Sequence, residues 1–445
     1  MQENRVVSSL GIAVLATVIA TIFGIGTNKI VAVYMGTDGI ALIGFFRRII
    51  GLIVPILSFG STTAIVRLIS LAPSSKQISQ VIESVFNMFI LQFFTILLII
   101  FFFSKYLSIY LFGDALAGAH LTEVRVVLSM SYIIILHQSI ISIISGGVNI
   151  KAVSVINIFT AFFTFIFAYP IISNLGDMGV ALLSGSGGFA GLILGLIYLN
   201  FIYRDELSKI SLSISNIKNI SFPISSWLLM HSVLIAMVDI SVYAIISRYY
   251  AMETLGIFNA VIMLESSIVM LLMSGMKMYY LPMLAKLKNT EERKIFVNKI
   301  LLILIAVSFL SILFLITINK WILLILFSKE FVSGSEMLKI QAITILPQVF
   351  SWCYAVYLIH LGEFRRYLLV DVLWGVLLLT GVFFVASNGF PLVEISMVYI
   401  YASVISVALY IFHMYKVSNM DILSVYSIFL GVALFCIAIL VYLIE

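Results

Sequence analysis

ALIGFFRRIIGLIVP, residues 41–55, places two adjacent arginines inside an apolar run that continues to about residue 69. The whole chain has the same apolar character. Its 445 residues are 62% hydrophobic and only 10% charged, and its mean hydropathy is +1.20. Soluble domains are typically about 25% charged. Because a soluble fold could not bury this much apolar surface, we predict that the chain lies in a bilayer.

Apolar runs long enough to cross a bilayer as helices, about 20 residues each, recur from one end of the chain to the other. They do not alternate as the strands of an outer-membrane barrel do. The sequence therefore predicts an all-α polytopic membrane protein. The candidate spans lie at about 6–34, 38–70, 81–103, 121–148, 152–174, 177–201, 222–250, 254–284, 297–318, 335–361, 366–387, 391–415 and 421–444.

The first twelve spans form two sets of six that resemble each other at an offset of about 215 residues. Gly60 falls opposite Gly275, and YLSIYLFGD (106–114) has its counterpart in WILLILFSK (321–329). Internal duplication is typical of transporters, with the substrate site between the halves. We predict two six-helix lobes related by a pseudo-two-fold repeat around a central cavity. The predicted parts are an N-lobe at 1–215, a C-lobe at 216–416 and an additional C-terminal helix at 417–445.

The basic residues predict the topology of the chain. Fifteen of the 25 Lys and Arg residues lie at one set of span ends and loops, seven at the other, and three within spans. This bias predicts a cytoplasmic N-terminus in a cytoplasmic membrane. The net charge of +5 and the pI of about 9.0 are explained by the same bias, so no nucleic-acid partner is expected.

Arg47 and Arg48 are the most informative charges, since a guanidinium in hydrocarbon costs at least ~2.5–3.5 kcal/mol on insertion scales. Arg48 points about 100° away from Arg47 around the helix, beside Phe45 and Leu52. Both arginines lie near the outer interface, where they could instead reach lipid headgroups. The face of Arg47 carries small and polar residues, which suits a water-filled cavity: Gly44, Gly51, Ser58 and Thr62.

Three further cations are candidates for substrate contact. Lys29 follows a polar stripe that ends at Asn28, and it is predicted as either a cavity cation or an interfacial anchor. Arg248, with aromatic neighbours at the outer end of span 7, has the same two interpretations. Lys277 lies within span 8.

Asp239 and Glu265 are the acids placed deepest in spans. Asp239 shares a helix face with Tyr243, and Glu265 lies about three turns before Lys277. Each acid is a candidate for a structural ion pair. Each is equally a candidate ion-coupling site, because a carboxylate in a medium of low dielectric constant can bind and release a proton.

The remaining motifs predict structural roles, and the motifs typical of enzymes are missing from the sequence. Gly187, Gly191 and Gly195 recur every four residues, which predicts close helix packing. His137 and His360 are predicted as packed residues. The sequence has no paired exposed carboxylates, Ser/His/Asp set, metal-spaced His/Cys cluster or large extramembrane loop. We therefore expect no enzymatic activity, no catalytic residues, no metal and no cofactor.

The segment TNKIVAVYMGTDGIALIGFFRRIIGLIVPILSFGSTTAIVRLIS (27–70) resembles the start of Wzx-type O-antigen and enterobacterial common antigen flippases. These are polysaccharide transporters of the multidrug/oligosaccharidyl-lipid/polysaccharide exporter superfamily. The resemblance rests on a lysine, an apolar stretch, a glycine turn and a Phe-Arg pair on the second helix. The duplicated six-helix plan extends it to about residue 416.

The resemblance implies a flippase that moves undecaprenyl-diphosphate-linked oligosaccharide to the outer leaflet of the bacterial cytoplasmic (inner) membrane by alternating access. It implies diphosphate contacts from Lys29 and Arg47, with Arg48 beside them, and a role in lipopolysaccharide O-antigen biosynthesis. Membrane lipids and a polysaccharide polymerase complex are the expected partners. Two alternatives remain: a cation-coupled multidrug exporter of the same superfamily, which would use Asp239 and Glu265, and a membrane polysaccharide polymerase or ligase.

Overall fold

The computed structural model describes residues 2–72, 74–147, 149–207, 222–287 and 289–418, and these ranges contain no strand. A 3-10 turn at Lys329–Gly334 precedes α10. The helices are α1 (Gln2–Ser58), α2 (Ser61–Leu71), α3 (Ser75–Ala117), α4 (Leu121–Gly146), α5 (Ile150–Ile202), α6 (Arg204–Leu207), α7 (Phe222–Tyr249), α8 (Met252–Lys286), α9 (Thr290–Leu326), α10 (Ser335–Ala342), α11 (Ile345–His360), α12 (Phe364–Ser387) and α13 (Val393–Ser418).

Helix α1 is a hairpin of two arms that meet at Gly36. This residue has φ 63° and ψ −151°, a conformation that glycine adopts without the steric cost of a Cβ atom. Arg47 hydrogen-bonds to Asn28 across the turn, although the 19 intervening steps would span about 28 Å in a straight helix. The predicted first and second spans are therefore the two arms of α1.

Helix α5 folds back on itself in the same way at Gly176, which has φ 52° and ψ −126°. A Cβ atom on Gly187 would lie 2.5 Å from Oγ1 of Thr164, and only a reversal of the chain brings these residues together. The predicted fifth and sixth spans are the two arms of α5.

Nine of the described helices are long and apolar enough to cross a membrane, and α10 with α11 adds a span bent by 43°. The segments Leu15–Ser58 and Ile150–Ile202 are long enough to cross twice. When the two arms of α1 and the two arms of α5 are counted separately, the described part of the chain contains the first twelve predicted spans. The predicted all-α multi-span fold class is confirmed.

Two details differ from the sequence-based expectation. The second span, predicted to continue to residue 70, ends at Ser58, because Phe59 and Gly60 adopt φ values of 48° and 69° and the chain restarts as α2. The third span, predicted to end at about residue 103, continues as one helix into the segment 106–114 and has its break at Gly113.

The chain forms two compact units, Met1–Arg248 and Tyr249–Glu445. The predicted lobe boundary after residue 215 lies outside the described residues. The predicted additional helix at 417–445 is also outside them, apart from its first two residues, which end α13.

Large apolar side chains point outward along several helices. Phe101 is 80% exposed, Phe201 85% and Trp321 65%. Such surfaces would drive aggregation in water, but acyl chains cover them in a bilayer. The exposure fits a multi-pass membrane protein.

The glycine stripe on the second arm of α5 lies in close helix contacts, as predicted. A Cβ atom on Gly191 would lie 2.4 Å from Cε1 of His137, and one on Gly195 would lie 2.8 Å from Cγ2 of Ile140. Small residues here allow the backbones of α4 and α5 to approach closely.

Candidate functional site

A cavity of about 260 Å³ with a mixed polar and apolar lining lies inside the unit Met1–Arg248, between the arms of the two helical hairpins. The reversals at Gly36 and Gly176 create it, since each hairpin contributes residues from both of its arms. Its lining residues are Thr27, Asn28, Ile43, Phe46, Arg47, Thr160, Thr164, Val180, Leu183, Ser184, Gly187 and Gly188.

Arg47 is the one charged residue among those lining residues. Its side chain is exposed, whereas its neighbours Phe46 and Arg48 are only 1% and 8% exposed, so its accessibility comes from the cavity. Nη2 of Arg47 donates a 2.9 Å hydrogen bond to Oδ1 of Asn28. The amide orients the guanidinium without neutralising its charge.

Hydroxyl groups supply the rest of the polar lining. Oγ1 of Thr27 and Oγ1 of Thr164 donate to the backbone carbonyls of Phe23 and Thr160. Oγ1 of Thr160 is buried and has no hydrogen-bond partner in the described part of the chain. A buried polar atom of this kind is costly unless a ligand or water satisfies it.

Arg48 lies in a different environment on another face of the same helix, about 100° around from Arg47. Its guanidinium carbon is 3.4 Å from the ring centroid of Tyr243, and Nε lies 3.4 Å from Oδ2 of Asp239. Nη1 donates to the backbone carbonyl of Gly44 at 3.1 Å. The sequence-predicted residues Arg48 and Asp239 are thus brought together by α1 and α7.

Aromatic packing surrounds this ion pair. The ring of Phe45 lies 4.7 Å from that of Phe112 and 6.1 Å from that of Tyr243. Nearby, Oη of Tyr110 donates a 2.8 Å hydrogen bond to Oγ of Ser241. Helices α1, α3 and α7 are therefore joined around Arg48.

Lys29 and Arg248 are not among the residues that line the cavity. Lys29 is half-buried in α1, one residue beyond the cavity-lining Asn28. Arg248 is exposed and lies 5.5 Å from the ring centroid of Tyr110. Lys277 belongs to α8, but its side chain is outside the described structure.

Glu265 lies in the second unit and is 2% exposed. Its Oε1 accepts a 3.2 Å hydrogen bond from Oγ1 of Thr344, and its Oε2 accepts a 3.3 Å bond from Oγ of Ser266. Thr344 lies at the break between α10 and α11. Among the described residues, no group of three or more His, Cys, Asp or Glu side chains could hold a metal ion.

Sequence reasoning missed the contribution of α5 to the cavity. Thr160 and Thr164 are spaced four residues apart, a signal of one polar helix face in an apolar span. Ser184 lies in the glycine-rich segment and gave no separate signal. Only the packing of α1 against α5 shows that these groups face Arg47.

The sequence matches no protein-family model and no curated protein sequence. Solved structures, however, resemble it over nearly its full length. A multidrug resistance MATE family transporter in an inward-facing conformation matches with a TM-score of 0.73 and 13% identity, covering 90% of this chain and 96% of that chain. The MATE multidrug transporter DinF-BH matches with a TM-score of 0.65 and 13% identity, covering 93% of this chain and 96% of that chain.

A third similar structure is a transporter from Pyrococcus furiosus that is described as having a binding pocket of reverse polarity. It matches with a TM-score of 0.58 and 12% identity, covering 94% of this chain and 96% of that chain. It and the MATE transporter with a TM-score of 0.73 belong to the MOP superfamily, the multidrug/oligosaccharidyl-lipid/polysaccharide exporters. The chain has the fold of the MOP superfamily transporters.

Proposed function

We propose that the protein is a membrane transporter for an anionic amphiphile, and that its substrate is a lipid-linked oligosaccharide whose diphosphate group binds at Arg47. In this function the protein is a flippase of the O-antigen type in a bacterial cytoplasmic membrane. Its N-terminus is cytoplasmic, and it works by alternating access.

The observation that carries the proposal is the accessible guanidinium of Arg47 in a cavity whose lining residues include no acid. Arginine pairs with phosphate oxygens through two parallel hydrogen bonds. Asn28 and the hydroxyl of Thr160 add neutral polar groups to the same cavity. The positive charge of Arg47 would repel an organic cation there.

The size of the cavity supports the binding of a headgroup rather than of a whole substrate. Its volume of about 260 Å³ lies below the ~300–1,000 Å³ typical of pockets for drug-sized ligands. A diphosphate with its first sugar fits this scale. The rest of the oligosaccharide and the polyprenyl tail need space outside this cavity. The tail can remain in the lipid.

The two acids that would suit a drug-cation site are engaged elsewhere. Asp239 faces Arg48 at 3.4 Å, and Glu265 is almost fully buried among hydrogen-bond partners. Neither lines the cavity with Arg47. These positions weaken a drug-exporter function at this site.

Multidrug export is the second candidate, and the similarity to multidrug transporters favours it over the flippase. For the Pyrococcus furiosus transporter, which has a similar fold, the reverse polarity of the binding pocket suggests a different function. Pocket polarity is therefore the better guide to substrate class than fold.

The test is a translocation assay in liposomes that contain the purified protein and a fluorescent polyprenyl-diphosphate oligosaccharide. Arg47→Ala should slow translocation by about 10–100-fold, the loss expected for one or two charge-assisted hydrogen bonds. Arg47→Lys should retain part of the rate. Arg67→Ala, which removes an exposed charge on α2 outside the cavity lining, is the matched control and should leave the rate unchanged.

Transport of a cationic rhodamine dye is measured in the same liposomes to distinguish the two candidates. Dye transport without movement of the diphosphate lipid would contradict the flippase proposal. Equal lipid translocation by wild type and Arg47→Ala would show that Arg47 does not contribute to substrate binding.

A further inference from the structure

A broad groove in the surface of α3 and α4 plays no part in the proposed anion site. It has a volume of about 770 Å³ and lies within the unit Met1–Arg248. None of its lining residues also lines the cavity at Arg47, so the two sites are separate. The lining residues of the groove are Phe94, Leu97, Leu98, Ile100, Phe101 and Arg125.

The apolar wall of the groove is one face of α3. Phe94, Leu98 and Phe101 are spaced by four and three residues, and this spacing places side chains on the same face of a helix. More than half of each of these side chains is exposed. In a membrane-spanning helix, acyl chains cover such a surface. A concave surface offers an acyl chain more contacts than a convex helix surface does, so the groove favours one bound chain.

Arg125 is the one charged residue among those that line the groove. Its side chain is exposed, and its Nε donates a 3.3 Å hydrogen bond to Oγ of Ser104 on α3. Ser104 is buried and lies three residues beyond Phe101. The bond holds the guanidinium against α3, so the positive charge lies at one end of the apolar wall.

No carboxylate neutralises this charge within the part of the chain that the structure describes. The ion pairs of the described residues do not include Arg125. Glu123, the nearest acid in the sequence, is two residues away on α4 and lies about 200° around the helix from Arg125. A guanidinium has five N–H donors, and Ser104 accepts from only one of them. The donors on the two terminal nitrogens can therefore pair with a phosphate group.

The length of the apolar wall matches one leaflet of a bilayer. Phe94 and Ser104 are separated by ten positions on α3, which correspond to about 15 Å at a rise of ~1.5 Å per residue. Half of a hydrocarbon core about 30 Å thick is also about 15 Å. An acyl chain whose phosphate lies at Arg125 would therefore follow the groove to about the middle of the bilayer.

The residues around Ser104 indicate that this end of the groove lies at the membrane interface. The apolar run of the third predicted span ends at about residue 103, and the exposed residues Lys105 and Tyr106 follow Ser104. Lysine and tyrosine are typical of the boundary between hydrocarbon and water. The phosphate groups of phospholipids lie at the same boundary, within reach of Arg125.

We propose that this groove binds one anionic phospholipid, with its phosphate paired to Arg125 and an acyl chain packed against Phe94, Leu98 and Phe101. An anionic headgroup is favoured over a zwitterionic one, because the lining residues offer no acid to balance the ammonium group of a zwitterion. The site does not depend on the transported substrate. Its test measures lipid binding without transport, so it succeeds or fails independently of the proposed function.

Native mass spectrometry of the purified protein in detergent measures the affinity for the first bound molecule of dioleoylphosphatidylglycerol. Arg125→Ala should weaken this binding by about tenfold or more, the loss expected for a charge-assisted hydrogen bond. Arg125→Lys should retain part of the affinity. Lys320→Ala, which removes an exposed cation of α9 outside the groove, is the matched control and should leave the affinity unchanged. Dioleoylphosphatidylcholine should bind more weakly than phosphatidylglycerol to the wild type.

Leu98→Trp tests the apolar wall while Arg125 is unchanged. The larger side chain fills part of the groove and should weaken the binding of phosphatidylglycerol. Leu302→Trp, on α9 outside the groove, is the matched control and should leave it unchanged. Both leucines are exposed, so neither replacement disturbs a packed core.

A phosphatidylglycerol with a diazirine group in one acyl chain locates the bound lipid. After irradiation, mass spectrometry of the peptides should find the cross-link preferentially on residues 94–101. The yield at these residues should fall in Arg125→Ala and stay the same in Lys320→Ala.

Three results would overturn the proposal. The first is equal affinity of wild type and Arg125→Ala for phosphatidylglycerol, and the second is cross-links spread over the lipid-facing helices without preference for residues 94–101. The third is stronger competition for the groove by undecaprenyl phosphate than by unlabelled phosphatidylglycerol, which would assign the groove to a polyprenyl chain instead.

Discussion

Arg47 and Arg48 are adjacent in the sequence but face opposite environments. Arg47 is exposed to a cavity of mixed lining and hydrogen-bonds to Asn28, whereas Arg48 is 8% exposed and lies beside Tyr243 and Asp239. The rotation of about 100° between successive helix residues produces this division. One arginine is left available for a ligand, and the other joins α1 to α7.

The first prediction concerns stability and uses this adjacent pair as its own control. Arg48→Ala removes a buried cation–π contact and leaves Asp239 without its partner. We expect the free energy of unfolding to fall by about 1–3 kcal/mol. The ion pair contributes only a small part of this loss, because Asp239 is 46% exposed and solvent screens its charge. Arg47→Ala should cost less than about 0.5 kcal/mol.

Thermal unfolding in detergent, followed by tryptophan fluorescence, measures both variants. A double-mutant cycle of Arg48→Ala and Asp239→Ala should give a coupling energy of at least about 0.5 kcal/mol. Additive effects would show that the pair is not energetically linked.

The second prediction concerns the polarity of the cavity. Asn28→Asp places a carboxylate where the Arg47 guanidinium now bonds to a neutral amide. The new ion pair competes with an anionic ligand, so binding of farnesyl diphosphate should weaken by about tenfold or more.

Asn28→Ala is the control for loss of the amide and should weaken binding by less than Asn28→Asp. Isothermal titration at two salt concentrations measures both. Tighter diphosphate binding by Asn28→Asp would contradict an anion site at Arg47.

The third prediction tests the close contact between α4 and α5. A Cβ atom on Gly191 would lie 2.4 Å from Cε1 of His137 and 2.5 Å from Oγ1 of Thr160. Gly191→Ala should therefore destabilise the protein by about 1–3 kcal/mol through overpacking.

Gly51→Ala is the matched control, because nothing lies within 4 Å of a Cβ atom at that helical position. It should be neutral or stabilising by up to about 1 kcal/mol. Equal thermal stability of the two variants would show that the stripe is not tightly packed.

The fourth prediction concerns the reversal in α5. Gly176 has φ 52° and open space around it, so a substitution there meets backbone strain but no clash. Gly176→Val should be destabilised more than Gly176→Asn, since asparagine tolerates the left-handed region better than a β-branched residue. The midpoints of thermal unfolding give the order, and the reverse order would contradict strain as the cause.

The sequence was sufficient for the elements that depend on local composition. Apolar run length gave the spans and therefore the short connections between the first and second and between the fifth and sixth, where the structure has the turns at Gly36 and Gly176. The four-residue glycine spacing predicted close packing because spacing along a helix fixes which side chains share a face. The exception was Ser58, where Phe59 and Gly60 interrupt a run that remains apolar.

The cavity at Arg47 depended on contacts between distant segments. Thr160, Thr164 and Ser184 are ordinary polar residues in apolar spans, and they meet Arg47 only because two hairpins pack together. In the same way, tertiary packing gave Arg48 its carboxylate and left Glu265 among neutral groups. Hydropathy and periodicity record which residues enter the membrane and on which helix face. They do not record which helices become neighbours, and that arrangement decides the charge balance around each buried ionisable group.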